Sequence, residues 1–160
     1  MAAVIFAAAL HATPASAQTF TAKASAKVVK PLVLTGIQNL DFGTVLIGTG
    51  SWSGATLSLS RAGVLTCPAQ LMCSGLTRVA RYNVAGSNNR SVRISAPDVT
   101  LINQSDPTRT LNMIVDSPGS VYLTNSGAPG HNFPLGGSIQ ISSTTADGIY
   151  TGTFNVTVDY

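Results

Sequence analysis

Hydrophobic and polar residues alternate in many short stretches of the chain. In residues 19–28, TFTAKASAKV, Phe20, Ala22, Ala24, Ala26 and Val28 share one parity, and Thr21, Lys23, Ser25 and Lys27 share the other. Period-2 alternation predicts a strand with one apolar face. The same pattern recurs in GATLSLSRAG, RVARYNVAG, RSVRISAP and SIQISS, and in RTLNMIVDSPGSVYLTN, which reads as two strands around a Ser-Pro-Gly turn. Leu32–Leu34 is a short apolar run, and NLDFGTVLIG places Leu40, Phe42, Val45 and Ile47 around a glycine. Asp41 is expected to be a turn residue that caps its own backbone. SGAPGHNFPLGG, rich in Gly and Pro, reads as a loop. The last stretch alternates most cleanly: Phe154, Val156, Val158 and Tyr160 face one way, Thr153, Asn155, Thr157 and Asp159 the other.

Eight to ten short strands with a turn signal about every ten residues, and no segment with a 3.6-residue period, predict an all-β fold, an immunoglobulin-like β-sandwich. Composition agrees. The 160 residues contain no Glu, a strong helix former, and are rich in Ser, Thr, Gly and Val. The length fits one domain. Pro31 interrupts main-chain pairing and sets residues 18–30, an arm or first strand, apart from a body at 31–160.

Residues 1–17 have the pattern of a signal peptide. Val4–Leu10 forms an apolar core, and Ala15-Ser16-Ala17 fits the small-x-small cleavage rule, so the mature chain is expected to start at Gln18. No Lys or Arg precedes the apolar run, which points to a true start upstream. The run is far shorter than the roughly 20 residues of a spanning helix, so no stable membrane span is expected. The expected location is the periplasm, then the cell surface or extracellular space. Cys67 and Cys73, in CPAQLMC, are expected to pair as a small disulfide in such an oxidising compartment.

Charge narrows the function classes. The net charge of +3 comes from nine scattered Lys and Arg with few aromatics beside them, unlike a nucleic-acid footprint. After cleavage His131 is the one histidine, and the six Asp residues lie singly, with no spacing of paired carboxylates. With no nucleophile elbow, phosphate loop or metal-ligand cluster, no enzymatic activity, catalytic residue, cofactor or metal is expected. Trp52, in GTGSWSGAT, is a candidate ligand contact by stacking, or a plug at one end of the core; Tyr122 and Phe133 admit the same two readings.

The LDFG segment at Leu40–Gly43 and the G-x-Y-x-G-x-F-x-V-x-V-x-Y ending from Gly148 to Tyr160, behind a signal peptide and an alternating arm, resemble a family of small secreted bacterial β proteins of unassigned function. The two ends also resemble pilin subunits of the chaperone–usher pathway, including the archaic, spore-coat-U-like branch. That resemblance implies a sandwich lacking its last strand. A periplasmic chaperone fills the gap first, an outer-membrane usher assembles the filament, and the arm of the next subunit then replaces the chaperone, a case of strand addition. Phe20, Ala22, Ala24, Ala26 and Val28 would be the donor side chains. Gly148, Phe154, Val156, Val158 and Tyr160 would mark the groove and chaperone-facing strand. Here Tyr160 is the final residue of the sequence rather than next to last, and the donor row contains three alanines. The expected function is a structural subunit of a surface filament, with like subunits as partners. The alternative is a self-contained secreted β-sandwich that binds a ligand or coats a surface.

Overall fold

The computed structural model describes residues 18–160; the expected signal peptide lies outside the described residues. The fold is an all-β sandwich, with thirteen strands among the described residues. They are β1 (Val33–Gln38), β2 (Thr44–Ile47), β3 (Ala55–Leu59), β4 (Leu65–Thr66), β5 (Leu71–Ser74), β6 (Ala80–Ala85) and β7 (Arg90–Ser95). Then follow β8 (Val99–Asn103), β9 (Thr110–Asp116), β10 (Ser120–Leu123), β11 (His131–Ile141), β12 (Tyr150–Thr151) and β13 (Thr157–Asp159).

The larger sheet runs β1-β6-β11-β9-β8-β12, with β3 and β4 added beside β11; β10-β7-β13 forms a second sheet, and β2-β5 a two-stranded ribbon. All pairings are antiparallel. Alternation decides which side chains enter the core, because successive side chains of a strand point to opposite faces. In β7, Val92 and Ile94 are buried while Ser91, Arg93 and Ser95 are exposed.

Two apolar clusters fill the interior. One, around Leu57, Leu101, Met113 and Ile139, lies under the ribbon. The other, around Val84, Val92, Leu123, Phe133 and Leu135, lies between the first strands of the large sheet and the β10-β7-β13 sheet. Leu40, Val115 and Phe154 pack against both and join them.

Two sequence readings change. The Gly/Pro stretch expected as a loop contains the first half of β11, with Phe133 and Leu135 buried. Its inward alternation is masked by Pro134 and by Gly136-Gly137. Phe133 is therefore core, stacked on Tyr82 with ring centroids 5.7 Å apart. The C-terminal stretch is also not one continuous strand. Tyr150–Thr151 pairs with β8 in the large sheet, and Thr157–Asp159 pairs with β7 in the other. Residues 152–156 carry the chain from one sheet to the other, which is why Phe154 reaches both clusters.

Candidate functional site

In the immunoglobulin arrangement, strands A, B, E and D form one sheet, and C, F and G the other. The order β1-β6-β11-β9 reproduces the first sheet, and β7-β13 reproduces C and F. Among the described residues no strand pairs with the outer edge of β13, the position G would take. β1 is likewise bonded on one side only, to β6.

These two open edges flank the second apolar cluster. From β1 and its approach come Leu32 and Leu34, and from the chain around β13 come Val156 and Val158; all four pack against the cluster while remaining only half-buried. Phe154 is half-buried beside them, as the alternation predicts. Tyr160 remains 43% exposed and faces the start of β1. Gly148 lies apart from this edge. It has φ +135° and packs against the buried Asn103, whose side-chain amide donates to the Asp147 carbonyl at 2.8 Å.

Among the described residues the arm has no strand partner. Residues 18–31 are exposed throughout, with Phe20 at 94% and Val28 at 91%. Ala22, Ala24 and Ala26 are exposed, as are Lys23 and Lys27. The arm touches the fold at its root. The Lys30 amide donates to Ser87 Oγ at 2.6 Å, and Tyr160 Oη donates to the Lys30 carbonyl at 2.6 Å. The same phenol oxygen accepts from the Ser87 amide at 2.7 Å. Gly86 completes this junction, where a Cβ would stand 2.5 Å from Tyr160 Oη and 2.7 Å from Leu32 Cδ2. A depression of about 180 Å³ opens beside it, lined by Lys30, Pro31, Val33, Ala85, Gly86 and Gly127.

Sequence reasoning did not find Lys30, Gly86 or Ser87. The contacts join positions up to 130 residues apart, and only the fold brings them together. In the sequence Leu32–Leu34 is a short apolar run, and nothing local marks Leu32 and Leu34 as a wall of the open edge.

The other candidates occupy separate places. Cys67 and Cys73 form a disulfide with a Cα–Cα distance of 6.1 Å. Trp52 is half-buried against the first cluster, with its main chain bonded to Ser143 Oγ. Tyr122 is exposed on the outer face of β10, and burial raises the phenol pKa of Tyr82. Asp41 accepts from the Gly43 amide at 2.9 Å, the turn role its sequence context predicts. Among the described residues no three of His, Cys, Asp and Glu converge as a metal site would require, and no helix is long and apolar enough to cross a membrane.

Residues 32–160 match the model of a domain of unknown function, DUF4402, and the chain belongs to that family. No curated protein and no solved structure matches it.

Proposed function

We propose that the protein is an exported structural subunit of a surface filament, assembled when the arm of one copy completes the sandwich of the next. One observation carries this reading. A fully exposed arm with five alternating apolar residues coexists with an unpaired β13 edge over a half-buried apolar row. Phe20 to Val28, fully extended, spans roughly 30 Å, enough to run the length of a sandwich edge. Strand addition satisfies the row of free N–H and C=O groups and aims alternate side chains at the core.

The docked arm puts Phe20, Ala22, Ala24, Ala26 and Val28 over Leu34, Val156 and Val158, and leaves Lys23 and Lys27 in water. Phe20 and Val28 supply most of the apolar gain, about 1.5–3 kcal/mol each when fully buried. The alanines suit a shallow groove whose floor, Val92 and Leu123, is already buried. In this reading a periplasmic chaperone covers the same edge during export and an outer-membrane usher delivers subunits to the surface.

A second reading has its own support: the second cluster already contains fully buried residues without a donor strand. That favours a self-contained surface or coat domain whose arm is a tether. The two separate when the purified chain from Gln18 is concentrated and sized by sedimentation. Filament subunits form a ladder of species that excess peptide of residues 18–29 caps as monomers. A chain that stays monomeric at every concentration, and does not bind the peptide, overturns the filament reading.

A further inference from the structure

We propose that Tyr160 is a latch that fixes the root of the arm, holding the arm out for a second copy and preventing it from folding back onto its own open edge. This inference rests on the filament reading for its purpose, though not for its geometry.

The need for such a device follows from where the arm is attached. β1 begins at the junction formed by Lys30, Ser87 and Tyr160, and β13 ends there. An arm that reversed direction at Pro31 would lie along the free side of β1, antiparallel to it and parallel to β13. It would offer the same apolar row to the same half-buried residues. A tethered segment acts at an effective concentration near millimolar, well above any realistic concentration of a second copy. Left unrestrained, the intramolecular pairing wins and the subunit caps itself.

Two features oppose that reversal. Pro31 disfavours the helical region at Lys30 and keeps the chain extended there. The latch holds both main-chain groups of Lys30, its N–H on Ser87 Oγ and its C=O under Tyr160 Oη. A hairpin onto β1 would turn the Lys30 peptide groups away from these partners. A single phenol oxygen both donates and accepts here, which ties the Lys30 carbonyl and the Ser87 amide to one atom. Gly86 leaves room for it, since any side chain there would collide with the phenol oxygen. The arm is exposed from Gln18 onward, as a latched root requires.

The test compares the chain from Gln18 with its Tyr160→Phe variant, which keeps the ring and removes the hydroxyl. Amide exchange of residues 20–28 is measured in dilute monomer, and assembly rate at higher concentration. Loss of the two hydrogen bonds shifts the latched-to-folded-back balance by about tenfold. Arm amides of the variant should therefore gain protection as monomer, by up to about tenfold, and assembly should slow by the same factor. Unchanged arm exchange together with an unchanged assembly rate overturns the latch. Should Tyr160→Phe fail to fold, Ser87→Ala removes the acceptor of the Lys30 amide and must move both readouts in the same direction, or the latch fails. If the wild-type chain never assembles but Tyr160→Phe still protects the arm, the filament reading falls and the latch stands.

Discussion

Asn103 and Gly148 face each other with no room for a methyl group between them: a Cβ on Gly148 would overlap the Asn103 amide. Asn103 is 2% exposed, and its Oδ1 accepts from the Ser105 amide at 2.8 Å while Nδ2 donates to Asp147. It therefore ties the turn after β8 to the loop before β12. Gly148→Ala adds both a strained φ and a steric overlap, and is expected to cost about 2–4 kcal/mol, read from denaturant midpoints at constant m. A loss below about 0.5 kcal/mol would show that the loop simply moves aside.

Phe154 links the two halves of the core. Phe154→Ala should destabilise the whole sandwich by about 2–3 kcal/mol, somewhat less than a fully buried ring because Phe154 is half-buried. Fluorescence of Trp52, which sits on the first cluster, and exchange of Val92, in the second, should report one common transition. Separate transitions would mean the clusters unfold independently.

In the filament reading the arm serves assembly and contributes nothing to the stability of its own body. Ala24→Asp changes an exposed side chain, so the monomer should keep its melting temperature within a degree or so. In the filament reading the same change places a charge in the groove and abolishes assembly. Added to this variant, peptide of residues 18–29 at a hundred times its Kd should raise body stability by about 2.7 kcal/mol, or about 5–10 °C. No shift at any concentration counts against the groove.

The Cys67–Cys73 bond closes a loop with a sequence separation of 6. In the chain-entropy account such a short loop contributes about 2–2.5 kcal/mol. The double Cys→Ala variant is expected to lose about that amount by thermal unfolding and to retain the strand pairing of β2 with β5.

Asp106 gives the turn after β8 a pH dependence. The Thr108 hydroxyl and amide, then Arg109, favour its ionised form and lower its pKa from 3.8. A carboxyl whose folded pKa is depressed contributes stability above its unfolded value, and that contribution is lost as pH falls through the folded one. The turn should thus loosen below about pH 3.8, seen as faster exchange of the Thr108 amide, and Thr108→Val should bring the Asp106 titration back towards its ordinary range.

Much of this fold was legible because alternation alone assigns inward faces: Leu57 and Leu59, Val92 and Ile94, Val156 and Val158 all lie on the side their parity predicts. Where a strand carries Pro134 and two glycines, the pattern is too sparse to read, so the first half of β11 reads as a loop while SIQISS after it reads as a strand. Alternation also does not record which sheet a strand joins, so the crossing at residues 152–156 was hidden inside an unbroken pattern. The junction of Lys30, Ser87 and Tyr160 was illegible for a different reason. Alternation marks Tyr160 as part of the last stretch, but nothing local marks Ser87 or links either residue to Lys30.

β1 has a further consequence, mechanical in kind. The arm and β1 are one continuous piece of chain, and the free side of β1 borders the groove. In a filament of such subunits, an incoming arm would lie beside the very strand from which the outgoing arm departs. Tension would then pass between adjacent strands along their length, loading a row of main-chain bonds together in shear, while the rest of the sandwich stays outside the line of force.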